Sequence, residues 1–210
     1  MGREDSGRFW QFAAGFYDRF MKKNQKMFRQ LCDCMSPELN KKMNVLELAC
    51  GTGQLSFALA PRVRLWEATD FSSKMIQEAK GKGRLRNLYF SVQDATKLPY
   101  APETFDAVVI ANALHVIPNP ETVMREIHKI LKPDGILFAP TFVYIKGDER
   151  SGLKGRLMER AGFKTFHKWN AGEYISFFSE HGFCPAHHQL LPGNQLTECY
   201  VLARKSSRTN

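Results

Sequence analysis

The sequence predicts an α/β fold: a mostly parallel sheet with helices on both faces, an antiparallel C-terminal strand and an N-terminal helical cap. Three observations predict it. Short apolar runs alternate with amphipathic stretches between residues 44 and 143, the pattern of strands joined by crossover helices. The run from Phe105 to Ala113 is almost wholly apolar, as a strand buried on both faces must be. Gly51 and Gly53 close the first run, where a parallel sheet turns into its first helix and receives ligands.

Each element follows from local signals. From about Gly7 to Met35 the chain reads as helical, with Phe9, Phe12, Ala13, Phe16, Tyr17 and Phe20 at three- and four-residue spacing on one apolar face. Ser36-Pro37 interrupts that pattern. Asn44 to Cys50 reads as a first strand, followed by a helix from Gln54 to about Ala60. Val63 to Thr69 is a second strand ending on Asp70. Ser72 or Ser73 caps the next helix, which Gly81 and Gly83 terminate. Leu88 to Gln93 is the third strand and Phe105 to Ala113 the fourth. Asn119-Pro120 supplies an N-cap and a proline at the first helical position. That helix runs to about Leu131, and Pro133-Asp134-Gly135 turns into a fifth strand, Ile136 to Val143.

The last third reads differently. Residues 146–169 are rich in Gly and Lys/Arg, with a short helix expected around Leu153 to Ala161. Asn170 and Glu173 form a capping-box start to a helix that Gly182 ends. Phe183 to Leu191 and Thr197 to Arg204 then read as two strands joined through Pro192-Gly193-Asn194, a hairpin that closes the sheet.

A chain of 210 residues suits one domain. Within it we distinguish an N-terminal cap (1–43), a core (44–145) and a C-terminal part (146–210). The net charge of +9 is uneven. The first part carries nine Lys/Arg against five Asp/Glu, the core eleven against ten, and the last part ten against six. Such flanks suit an anionic substrate or an acidic membrane surface, and equally a solvated basic surface with no partner. The apolar run Gly135 to Ile145 is too short to cross a bilayer, and no secretory signal pattern opens the chain. Five scattered cysteines point to reduced thiols and a cytoplasmic location. Cys32 and Cys34 lack partners for a zinc quartet, so no metal is expected.

The chemistry concentrates in Val45-Leu46-Glu47-Leu48-Ala49-Cys50-Gly51-Thr52-Gly53. Glycine lets the backbone turn sharply and approach a ligand without a Cβ in the way. The helix that follows offers N–H groups and a positive dipole end. Asp70 falls nineteen residues beyond Gly51, at the tip of the second strand, where a carboxylate accepts from both hydroxyls of a ribose. These features fit NAD as well as S-adenosylmethionine, and Gly51-x-Gly53-x-x-Ser56 approximates the dinucleotide fingerprint. Glu47 separates the two better. A carboxylate inside a central strand needs a favourable partner, and a cofactor with an ammonium and a sulfonium suits it better than a pyrophosphate does. A structural donor near the strand end is the alternative.

The ordered set of motifs resembles the class I, Rossmann-like S-adenosylmethionine-dependent methyltransferases, above all the small-molecule group of ubiquinone/menaquinone-biosynthesis enzymes. The set comprises Glu47 to Gly53; Asp70-Phe71-Ser72-Ser73-Lys74-Met75; Asp94-Ala95 with Leu98-Pro99-Tyr100; Thr104-Phe105-Asp106; Ala111-Asn112-Ala113-Leu114-His115; and Leu131 to Gly135. The resemblance implies S-adenosylmethionine as cofactor and methyl transfer as activity. It also implies roles. Gly51 and Gly53 pass beneath the methionine portion, with Glu47 near its amino group. Asp70 binds the ribose hydroxyls, and Phe71 and Met75 pack against the adenine. Asp94 accepts from the adenine amino group, and the Ala95 N–H addresses a ring nitrogen. Asn112 lines the methionine end.

Methyl transfer needs an acceptor held in line with the methyl group, so proximity and desolvation carry much of the rate. His115 is the candidate catalytic base, and Tyr17 in Phe16-Tyr17-Asp18 the candidate cover of the substrate site, so both are candidate substrate contacts. The Pro-Pro-aromatic signature of nucleic-acid amino-methyltransferases is missing after the fourth strand, so a small-molecule acceptor is expected and nucleic acid is not. An NAD-dependent oxidoreductase and a non-catalytic S-adenosylmethionine-binding module are the alternatives.

Overall fold

Among the described residues, alternation of apolar runs becomes eight strands: β1 (Asn44–Leu48), β2 (Leu65–Asp70), β3 (Leu88–Val92), β4 (Phe105–Ile110), β5 (Leu131–Phe138), β6 (Thr141–Val143), β7 (Phe183–Pro192) and β8 (Thr197–Lys205). The computed structural model describes residues 24–144, 164–193 and 197–206. β3, β2, β1, β4 and β5 lie side by side in parallel. β8 runs antiparallel beside β5 and β6, and β7 pairs with its other edge. This is the Rossmann-like, mostly parallel sheet with an antiparallel C-terminal closure that the motif order implies.

Helices cover both faces. α1 (Gln25–Met35), α2 (Gln54–Leu59) and α3 (Ser73–Gly81) pack on the face formed by Val45, Trp66, Ala68, Val109 and Phe138. α4 (Pro120–Ile130) and α5 (Ala171–Glu180) pack on the face formed by Leu46, Leu48, Val108, Ile110 and Leu137. The caps work as the sequence implies. Ser72 Oγ accepts from the Met75 N–H. The Asn170–Glu173 box closes in both directions. Asn119 stands at the N-cap of α4 with Pro120 in the first helical turn, although its side chain makes no cap bond. Among the described residues no helix is long and apolar enough to cross a membrane. All five cysteines are free thiols.

Two elements depart from expectation. The fifth strand is not continuous from Ile136 to Val143: it breaks at Ala139-Pro140 into β5 and β6. Proline has no N–H to give a ladder, and the Pro140 carbonyl instead accepts from the Asn112 N–H at 2.8 Å. β5 also begins earlier, at Leu131, because the Lys132–Gly135 turn bulges out of the ladder between the pairs Phe105↔Leu131 and Ala107↔Ile136. A Cβ at Gly135 would stand 2.8 Å from the Lys132 carbonyl, so the bulge requires glycine there. Of the helix expected over residues 7–35, the described part begins at Gln25, with Asn24 outside helical geometry at φ −111°, ψ 25°. Tyr17, the rest of the expected cap and the helix expected over 153–161 lie outside the described residues, as does Asn194 of the hairpin turn.

Candidate active site

Carboxyl ends of parallel strands are where such sheets bind ligands, and here those ends carry an unusual backbone. Ala49 after β1 and Asn112 after β4 both have φ +53°, and Gly51 and Gly53 have φ +54° and +78°. Left-handed geometry at a non-glycine residue is uncommon and collects at functional turns. Gly53 is needed twice over, because a Cβ there would also meet the Phe90 ring at 2.8 Å.

Asp70 ties this edge together. Its Oδ2 accepts from the Gly51 N–H and its Oδ1 from the Ser72 N–H, each at 2.8 Å. Burial raises its pKa, and the bonds from Ser72 and Gly51 oppose that rise. A carboxylate oxygen accepts more than one bond, so both oxygens keep capacity for a ligand. Next to it Phe71 is 58% exposed, whereas Met75 in the first turn of α3 is buried. Asp94 holds the turn after β3, with Oδ1 accepting from the Thr96 N–H at 2.9 Å and the Thr96 hydroxyl at 2.7 Å. Ala95 is half-buried against the core on the α4 side.

Glu47 is 2% exposed. Its Oε2 accepts from the Ser56 hydroxyl and from the Trp66 indole N–H, the latter at 2.8 Å. Burial pushes its pKa up to about 7, with the two bonds pulling down and the Asp70 charge adding to the rise. The carboxylate thus has donors within the protein, and the small residue at position 56 serves as one of them. Its weight as a discriminator between cofactors falls accordingly.

A second polar group lies along the same edge. His115 Nδ1 shares a hydrogen bond with Thr141 Oγ1 at 2.8 Å, and the His115 carbonyl accepts from the Phe166 and His167 N–H groups. Burial, with His167 nearby, lowers the His115 pKa to about 4, so the ring is neutral near pH 7. Glu198 on β8 is 1% exposed and accepts from Asn112 Nδ2 at 2.7 Å. Burial pushes its pKa up to about 7, opposed by that bond. Sequence reasoning missed Glu198. The signal was present, since it is the one charged residue in the run Thr197 to Ala203, and a buried charge in a strand calls for a partner. The described structure therefore bonds Gly51 to Asp70, places Gly53 in the same turn through its N–H to the Cys50 carbonyl, and joins Asn112 to Glu198. It sets Glu47 and Met75 into the interior.

The family model described as a methyltransferase domain matches residues 46–139. A demethylmenaquinone methyltransferase of Lactobacillus johnsonii is 41% identical over 97 residues, 43% of this chain and 40% of that protein. A malonyl-[acyl-carrier protein] O-methyltransferase of Bacillus cereus is 29% identical over 158 residues, 73% of this chain and 58% of that one. The chain thus spans less than two thirds of the length of either relative. Among solved structures, the chain bound to the Trm112 methyltransferase activator of Haloferax volcanii superposes with a TM-score of 0.81 at 16% identity, over 98% of this chain and 99% of that one. That likeness is one of fold.

Proposed function

We propose that this chain, which belongs through residues 46–139 to the class I S-adenosylmethionine-dependent methyltransferases, transfers a methyl group to a small-molecule acceptor. The observation that carries the reading is the clasp of Asp70 on the Gly51 N–H, which sets a carboxylate with spare accepting capacity beside a left-handed glycine turn. That pairing suits an adenosine whose ribose hydroxyls meet Asp70 while its amino-acid end crosses Gly51 and Gly53. Phe71 offers an exposed ring for the adenine, above the buried Met75. In this reading Asp94 and the Ala95 N–H serve the adenine edge and Asn112 the methionine end, with Glu47 near the amino group while Ser56 and Trp66 hold its carboxylate.

When bound, the cofactor supplies an electrophilic methyl on a sulfonium. The protein's share is to orient the acceptor and exclude water. His115, with a pKa of about 4, has little driving force to take a proton. It acts as a neutral hydrogen-bonding wall of the acceptor pocket, and the acceptor arrives already nucleophilic. The relatives named above act, by their names, on demethylmenaquinone and on malonyl-[acyl-carrier protein], and acceptors of those two kinds are the first to try. A cytoplasmic location is part of this reading. The test supplies methyl-labelled cofactor with quinols, carboxylate or thioester acceptors, and nucleic acid in parallel. Label in one of the small molecules supports the reading, and label in nucleic acid alone contradicts it.

A further inference from the structure

We infer that Glu198 is a positioning residue for the amino-acid end of the cofactor: by taking the Asn112 amide N–H, it turns the Asn112 amide oxygen toward the α-ammonium. The inference rests on the cofactor reading above. β1 and β4 are paired with Leu48 opposite Ile110, so the glycine turn and Asn112 leave the sheet side by side at its carboxyl edge. Asn112 is fixed there by its left-handed φ and by its N–H bond to Pro140. Only its side chain remains to be oriented.

Glu198 does that orienting. A carboxyl group keeps an accepting oxygen whether or not it is ionised, and Glu198 Oε1 takes the Asn112 Nδ2 N–H at 2.7 Å. Asn112 Oδ1 is thereby turned away, enclosed and without a hydrogen-bond donor among the described residues. Native proteins rarely leave a buried carbonyl oxygen unpaired. A donor that arrives with the ligand is the group we assign to it. An ammonium carries donors and no acceptor, and it gains from the Glu198 charge behind the amide. A carboxylate at the same place would meet that charge and find no donor. The pair therefore sets which end of the amino-acid portion faces β8.

The test compares two ligands that share the adenosine and thioether. S-adenosylhomocysteine has the amino-acid end, and methylthioadenosine lacks it. Each is titrated calorimetrically into the full chain and its variants. Glu198→Leu should weaken S-adenosylhomocysteine about tenfold, the scale of one hydrogen bond to a charged group, and leave methylthioadenosine unchanged. Glu198→Gln, whose carbonyl still accepts from Asn112, should recover most of the loss. Should Glu198→Leu fail to fold, Asn112→Ala should show the same selective loss. An equal loss of both ligands in these variants would mean that Glu198 only braces the sheet. Unchanged S-adenosylhomocysteine binding would likewise overturn the inference. A parent protein that binds neither ligand removes the cofactor reading itself, an outcome distinct from these.

Discussion

Asp70 shows how one side chain serves two purposes. It closes the β1 turn through Gly51 and starts α3 through Ser72, so the carboxylate proposed to bind the ribose is also a structural brace. Asp70→Ala should lower S-adenosylhomocysteine affinity by about 2–4 kcal/mol through the lost charge-assisted bonds. It should also cost about 1–3 kcal/mol of stability, because two backbone donors lose their acceptor. Calorimetry reads the first and denaturant unfolding the second. A fully stable variant would show that the brace is dispensable. Glu47 gives a pH dependence. Its pKa in the fold, about 7, lies above the ordinary 4.5, so the native protein holds a proton there that the unfolded chain has released. Stability from this group is present below about 4.5 and is lost as pH rises through 7. Glu47→Gln cannot ionise, so its stability relative to the parent should improve by up to about 3 kcal/mol between pH 4.5 and pH 8. His115, depressed to about 4, tilts the opposite way in both proteins and cancels in the difference. A pH-independent difference would contradict the buried ionisation. Asp70 was legible because a fixed offset in sequence puts it at a strand tip. The donors of Glu47 were not, because Trp66 reaches it through β1–β2 register, nineteen residues away.

At the scale of elements, local signals were legible and long-range ones were not. Ser72 and the Asn170–Glu173 box act within four residues of themselves, and both cap as their sequence implies. The break between β5 and β6 depends on Asn112 taking the Pro140 carbonyl and on β8 bridging the gap through Val201, contacts that no short window contains. The proline inside that run was the overlooked sign. Removing the box with Asn170→Ala should cost about 1 kcal/mol of stability and leave ligand affinity unchanged in the same titrations. Gly53→Ala should do the reverse of a neutral change. Its φ of +78° and the Phe90 ring at 2.8 Å from a Cβ should cost about 1–3 kcal/mol and loosen the ligand turn. A Gly53→Ala protein with full affinity and stability would show that the loop tolerates a side chain. α1 belongs to the core, since Met27, Leu31 and Met35 are buried and the Tyr200 hydroxyl donates to the Cys34 carbonyl. Leu31→Ala should therefore cost about 2–5 kcal/mol in unfolding experiments, and a loss below about 1 kcal/mol would place α1 outside the cooperative unit.

Taken whole, the molecule is one sheet whose two faces separate structure from chemistry less than its two ends do. Both faces are packed with apolar side chains, while the carboxyl edge carries the left-handed Ala49, Gly51, Gly53 and Asn112 and the bonded pairs Asp70–Gly51 and Asn112–Glu198. Parallel strand order was legible because strand-helix alternation with right-handed crossovers leaves few other topologies. The insertion of β8 between β5 and β7 follows from the hairpin. The most direct measurement of the central claim is a calorimetric titration of the protein with S-adenosylhomocysteine and, separately, with NAD. The expected result is saturable binding of S-adenosylhomocysteine at one site per chain, weakened by about 2–4 kcal/mol in Asp70→Ala, and no heat from NAD. Binding of NAD with none of S-adenosylhomocysteine would contradict it.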